Sequence, residues 1–153
     1  MTMQSSPPVE QLIIHRGTML LLDRILEANE KFAVAEVVIS STSPFWRAGD
    51  GVPAYVGLEY MAQAIAAFDG ARRLKTGAVP TIGFLLGTRR YRSKVGHFTE
   101  GQRLRVRAEI AFNDGGMAAF DCIIGSGDEE LVSASLNVYR PENGETEMME
   151  DHA

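Results

Sequence analysis

The chain has 153 residues, 45% of them apolar and 23% charged, which suits one globular domain with a buried core. A single cysteine, Cys122, excludes an internal disulfide framework and any multi-cysteine metal site, and suits a reducing cytoplasm. The net charge of −5 argues against indiscriminate nucleic-acid binding, and no apolar run approaches the roughly 18 residues a membrane-spanning helix needs. The opening residues have neither the basic nor the apolar region of a secretory signal.

Residues 1–8, ending in Pro7-Pro8, and the acidic stretch 141–153 are expected to be unstructured, leaving 9–140 as the folded domain. Val9 to Leu22 is apolar and reads as short helical or turn structure leading into a strand. Leu20 to Glu27 and Phe32 to Ser40 read as a hairpin about the turn-prone Ala28-Asn29-Glu30-Lys31. A loop rich in Ser, Pro and Gly runs from Ser41 to Pro53. The clearest helix follows, from Pro53 to about Lys75, with Pro53 in its first turn and Arg72, Arg73 and Lys75 at its C-terminal end. Apolar residues lie on nearly every face of it, which predicts an interior position.

Beyond the helix the pattern is β. Thr81 to Lys94 reads as a long strand. Arg103 to Phe112 alternates, with Leu104, Val106, Ala108, Ile110 and Phe112 on one face and Arg103, Arg105, Arg107 and Glu109 on the other. Asn113-Asp114-Gly115-Gly116 predicts a hairpin turn into Met117 to Ile124, and Leu131 to Tyr139 ends the set. Cys122 shares an apolar face with Phe120 and Ile124 and reads as core. Phe45 and Trp46 are expected to pack under their loop. A hairpin, one buried helix and four further strands make an α+β hotdog fold: a curved antiparallel sheet wrapped round a central helix.

Glu59 is the most informative residue for chemistry. A carboxyl early in a buried helix either caps the first turn or is held at a cleft as a general acid. Gln63, one turn on, is placed to orient it by a hydrogen bond.

The segment Gly57-Leu58-Glu59-Tyr60-Met61-Ala62-Gln63 resembles the E-x-x-A-Q helix of the FabA/FabZ 3-hydroxyacyl-ACP dehydratases. His15 to Arg24 is similar to that family's H-R-x-x-x-L-L-x-D-R signature, and Tyr91-Arg92 through Val95 to Leu104 to its F-R-x-x-V and G-D-x-L strand pair. The wording from Gly83 to Tyr91 is most like the ApeP-like, aryl-polyene branch. The resemblance implies dehydration of 3-hydroxyacyl groups on an acyl carrier protein to trans-2-enoyl thioesters. It implies no cofactor beyond the carrier's phosphopantetheine. Glu59 inherits the role of the acid that protonates the leaving hydroxyl, and the N–H of Ala54, after Pro53, falls where the family polarises the thioester carbonyl.

The family's base does not carry over. Its G-H-F-P-G histidine loop corresponds to Phe45 to Val52, which is shorter and holds no histidine. Asp50 in that loop, then His97, then His15 are the candidate replacements, His15 reading rather as structural. Seven basic residues gather between Arg89 and Arg107. Alternating arginines often mark only a solvated face, but Arg89, Arg90 and Arg92 are candidates to dock an acidic carrier and its phosphate. Two further readings stay open. One is a catalytically weak or acyl-binding subunit of a dehydratase heteromer, since the Thr81 to Lys94 strand suits pairing with a second copy or a relative. The other is a hotdog thioesterase, in which the helix carboxylate activates water or attacks the carbonyl.

Overall fold

A computed structural model describes residues 8–9, 20–77 and 84–139. The expected structure over Val9 to Leu22 falls outside these residues apart from Val9 and the stretch 20–22, as do His15 and the first residues of the strand expected from Thr81. Eight strands are described: β1 (Arg24–Ala28), β2 (Phe32–Val38), β3 (Val52–Pro53), β4 (Phe84–Ser93), β5 (His97–Phe98), β6 (Arg103–Asp114), β7 (Met117–Ser126) and β8 (Glu129–Tyr139). The helix α1 runs from Gly57 to Lys75. Six strands form one antiparallel sheet in the order β1-β2-β6-β7-β8-β4, and β3 pairs separately with β5. This is the hotdog fold that the element order predicted.

The strands obey their alternation. Ala33, Ala35 and Val37 of β2, Leu104, Val106 and Ala108 of β6, and Phe120, Cys122 and Ile124 of β7 all turn inwards. They meet Tyr60, Met61, Ala64, Ala67 and Phe68 of α1 in one core, where Phe68 and Phe120 stack edge to face at 5.4 Å. The β1–β2 turn closes because the Asn29 Oδ1 accepts from the N–H groups of Lys31 and Phe32 at 2.8 and 3.0 Å. Gly115 and Gly116, at φ 60° and 91°, make the two-residue turn between β6 and β7 that only glycine enters freely.

Four expectations need correction. The helix does not begin at Pro53. That residue closes β3, a 3-10 turn covers Ala54–Val56, and α1 starts at Gly57. Nor is the helix enclosed all round. Leu58, Glu59, Ala62, Ala66 and Asp69 form a half-buried stripe on the side away from the sheet. Phe112 does not share the face of Val106. A bulge between Ile110 and Phe112 shifts the register by one residue, so Phe112 pairs with outward-facing Ala119 and lies 56% exposed. The loop aromatics also separate: Trp46 packs against the core, whereas Phe45 is exposed at φ 69°.

Candidate active site

The site is built at the start of α1. Glu59 lies in the first turn and is half-buried on the uncovered stripe. Gln63, one turn later and wholly buried, donates from its Nε2 to Glu59 Oε2 at 3.3 Å. Its Oε1 accepts the Leu21 backbone N–H at 2.9 Å, so the amide ties the carboxyl to the chain entering β1. The spacing i, i+4 made this pair legible in the sequence. The arrangement orients a half-buried carboxyl through a buried amide, which is what a proton donor to a bound substrate needs.

The remaining candidates are distributed around it. Ala54 is buried, and its N–H donates to Gly96 O at 2.9 Å. That corrects the expectation of an available carbonyl-polarising N–H, because the β3–β5 connection already uses it. Asp50 is exposed in the tight turn formed by Arg47 and Gly51, where its own N–H bonds to Arg47 O at 3.0 Å. Gly51 must be glycine: φ is 108°, and a Cβ there would overlap the Phe98 carbonyl. His97 is half-buried in β5 opposite Pro53. The structure thus brings Glu59 and Gln63 together, and leaves Asp50 and His97 on the loop and short strand that frame the helix start.

Arg89, Arg90 and Arg92 are all exposed at a bulge in β4. Arg89 and Arg92 pair with Ser135 and Ser133, which face away from the core, and Arg90 sits at φ 56°. Tyr91, between them, turns inwards and donates its hydroxyl to Ala54 O at 2.6 Å. The sequence motif contained Tyr91, yet nothing in its spacing gave it a role. Among the described residues no three His, Cys, Asp or Glu side chains gather as metal ligands, and no helix is long and apolar enough to cross a membrane.

With this geometry in view, comparison with known proteins is informative. The family model for ApeP-like proteins, described as ApeP dehydratase, matches residues 7–150. No curated protein matches the chain by sequence. Among solved structures, a chain of the dehydratase heterocomplex ApeI:P from Xenorhabdus doucetiae superposes with a TM-score of 0.86 at 28% identity, covering 95% of this chain and 98% of that one. The PaaI protein of the E. coli phenylacetic acid degradation operon matches with a TM-score of 0.61 at 13% identity, covering 76% and 81%. A hypothetical thioesterase with coenzyme A from Streptococcus pneumoniae gives 0.60 at 12%, covering 77% and 84%. The last two share the fold alone. The chain belongs to the ApeP-like dehydratase family.

Proposed function

We propose that this dehydratase acts on 3-hydroxyacyl thioesters carried by an acyl carrier protein, and that it works as one subunit of a hotdog pair. The carrying observation is the Glu59 carboxyl, half-buried on the uncovered stripe of α1 and oriented by the buried Gln63. Glu59 donates a proton to the departing C3 hydroxyl while a base removes a proton from C2. The electron pair of that C–H bond becomes the new double bond, and water leaves with the thioester intact.

The base is the part of the site that the described residues do not assign, and His15 lies outside them. His97, the histidine among the described residues, sits in β5 opposite Pro53, and Asp50 is exposed in its turn. A histidine from a partner hotdog subunit completes the site in this reading, and the ApeI:P heterocomplex is the precedent for such a pairing. Among the described residues β4 is an edge strand, with no neighbour beyond β8. An edge of ten residues suits pairing with another sheet. Arg89, Arg90 and Arg92 at that edge then meet the acidic carrier and its phosphopantetheine phosphate. A cytoplasmic setting fits such a carrier-dependent reaction.

The test follows the intact mass of a carrier-bound 3-hydroxyacyl substrate, with this chain alone and mixed with a histidine-bearing hotdog partner. Loss of one water only in the mixture, abolished by Glu59→Gln, is the expected result. Activity of the chain alone that depends on Asp50 or His97 would place the base within it. Appearance of a free carrier thiol would instead make the chain a thioesterase. Charge reversal at Arg89, Arg90 and Arg92 should slow the carrier-bound substrate and spare a short pantetheine thioester; equal losses on both refute docking there.

A further inference from the structure

The start of α1 is held by an arrangement that the sheet alone does not require. Opposite Ala134, β4 carries two residues, Arg90 and Tyr91, where regular pairing would place one. Arg90 accommodates the extra residue at φ 56°, a left-handed conformation that a branched-free but bulky arginine adopts only at a cost. The consequence is that Tyr91, and not Arg90, points at the helix. Its hydroxyl donates to Ala54 O at 2.6 Å, in the 3-10 turn that leads into α1. Burial pushes the phenol up to about 12, with the Leu58 N–H pulling the other way, so it stays a neutral donor at physiological pH.

Space is reserved for this hydroxyl. A Cβ at Gly57 would come 2.6 Å from the Tyr91 oxygen and 2.8 Å from Ile124 Cδ1. Ala54 is therefore held on both sides, its N–H by Gly96 O and its carbonyl by Tyr91. Ala54 belongs to the 3-10 turn that runs directly into α1, in whose first turn Glu59 sits. No side chain caps the N-terminus of α1, so the turn before it is held by the two contacts of Ala54.

We infer that Tyr91 is a positioning residue for dehydration: its hydroxyl holds Ala54 O and so fixes the turn from which the helix carrying Glu59 starts. The bulge at Arg90 and the bare Gly57 are the two concessions that let it reach. This rests on the reading of Glu59 as the acid. A loosened first turn leaves the carboxyl chemically intact but displaced, and displacements near 1 Å cost up to about 100-fold in rate.

The experiment compares Tyr91→Phe, Gly57→Ala, their double variant and Glu59→Gln, each assayed with its hotdog partner on the carrier-bound substrate. Amide exchange at Leu58 and the unfolding midpoint are measured alongside. Tyr91→Phe removes only the hydroxyl. It should lower kcat by about 10- to 100-fold with KM within about twofold, speed exchange at Leu58, and leave the protein folded. Gly57→Ala should give a similar loss, and the double variant should be no worse than either single one, because both break the same contact. A Tyr91→Phe enzyme with kcat within about twofold of the parent, alongside an inactive Glu59→Gln, overturns the positioning role alone. Loss proportional only to the unfolded fraction, with Leu58 exchange unchanged, overturns it too. Full activity in Glu59→Gln overturns the reading beneath it.

Discussion

Replacing Gln63 with leucine separates the structural from the chemical role of the amide. Gln63 is wholly buried, and it accepts from the Leu21 N–H at 2.9 Å and donates to Glu59 at 3.3 Å. Leucine nearly matches its volume but leaves the Leu21 N–H without that acceptor, a loss of about 1–3 kcal/mol for a buried donor. Glu59 is half-buried, so losing its bond to Gln63 costs less than losing a fully buried one. The extra apolar burial returns on the order of 1 kcal/mol. The net expectation is a loss of up to about 2 kcal/mol, or up to roughly 8 °C in midpoint for a domain of this size. Urea unfolding at fixed protein concentration, with an unchanged slope, measures it. Gln63→Glu is the companion. It keeps an acceptor for Leu21 but sets two carboxyls together, so its stability should be best at low pH and decline as pH rises, since the pair resists full ionisation. Both variants should lose dehydration. Gln63→Leu more stable than the parent would refute the assignment of the Leu21 bond.

Three further outcomes are expected. Arg24, bonded at 2.8 Å on the outer face of β2, holds Glu36 below the ordinary glutamate value of 4.5, with burial opposing and Arg103 adding to the effect. Its folded value lies below the unfolded one, so its contribution is present above about 4.5 and is lost as pH falls through the folded value; Glu36→Gln should flatten the acid limb of a stability–pH curve. An unchanged acid limb would remove that ion pair from the account. Phe68→Ala empties the contact between α1 and Phe120 and should cost about 3–5 kcal/mol in urea unfolding; a loss below about 1 kcal/mol would mean the core collapses into the gap. Cys122 is 1% exposed and its thiol is pushed up to about 12, chiefly by burial, so it should resist a thiol reagent at pH 8 until denaturant is added. Rapid labelling of the native protein would refute its place in the core.

Much of this protein is written locally. Period-two alternation placed Leu104, Val106 and Ala108 in the core and the arginines between them outside, because a strand cannot turn neighbouring side chains to one face. The glycine pair at the β6–β7 turn and the i, i+4 spacing of Glu59 and Gln63 were equally readable, since each depends on residues within one turn of each other. Resemblance of the motifs pointed to the dehydratase family and to the histidine missing from its loop. Tertiary structure decided what rests on contacts distant in sequence. β3 and β5 are two residues each, too short to have a period, yet their pairing sets where α1 begins and takes up the Ala54 N–H through Gly96. The bulges are the clearest case. No glycine marks the one at Arg90 or the one before Phe112, because each is selected by packing across the sheet and not by local preference. One turned Phe112 outwards. The other turned Tyr91 in, onto the turn that leads into the helix carrying Glu59.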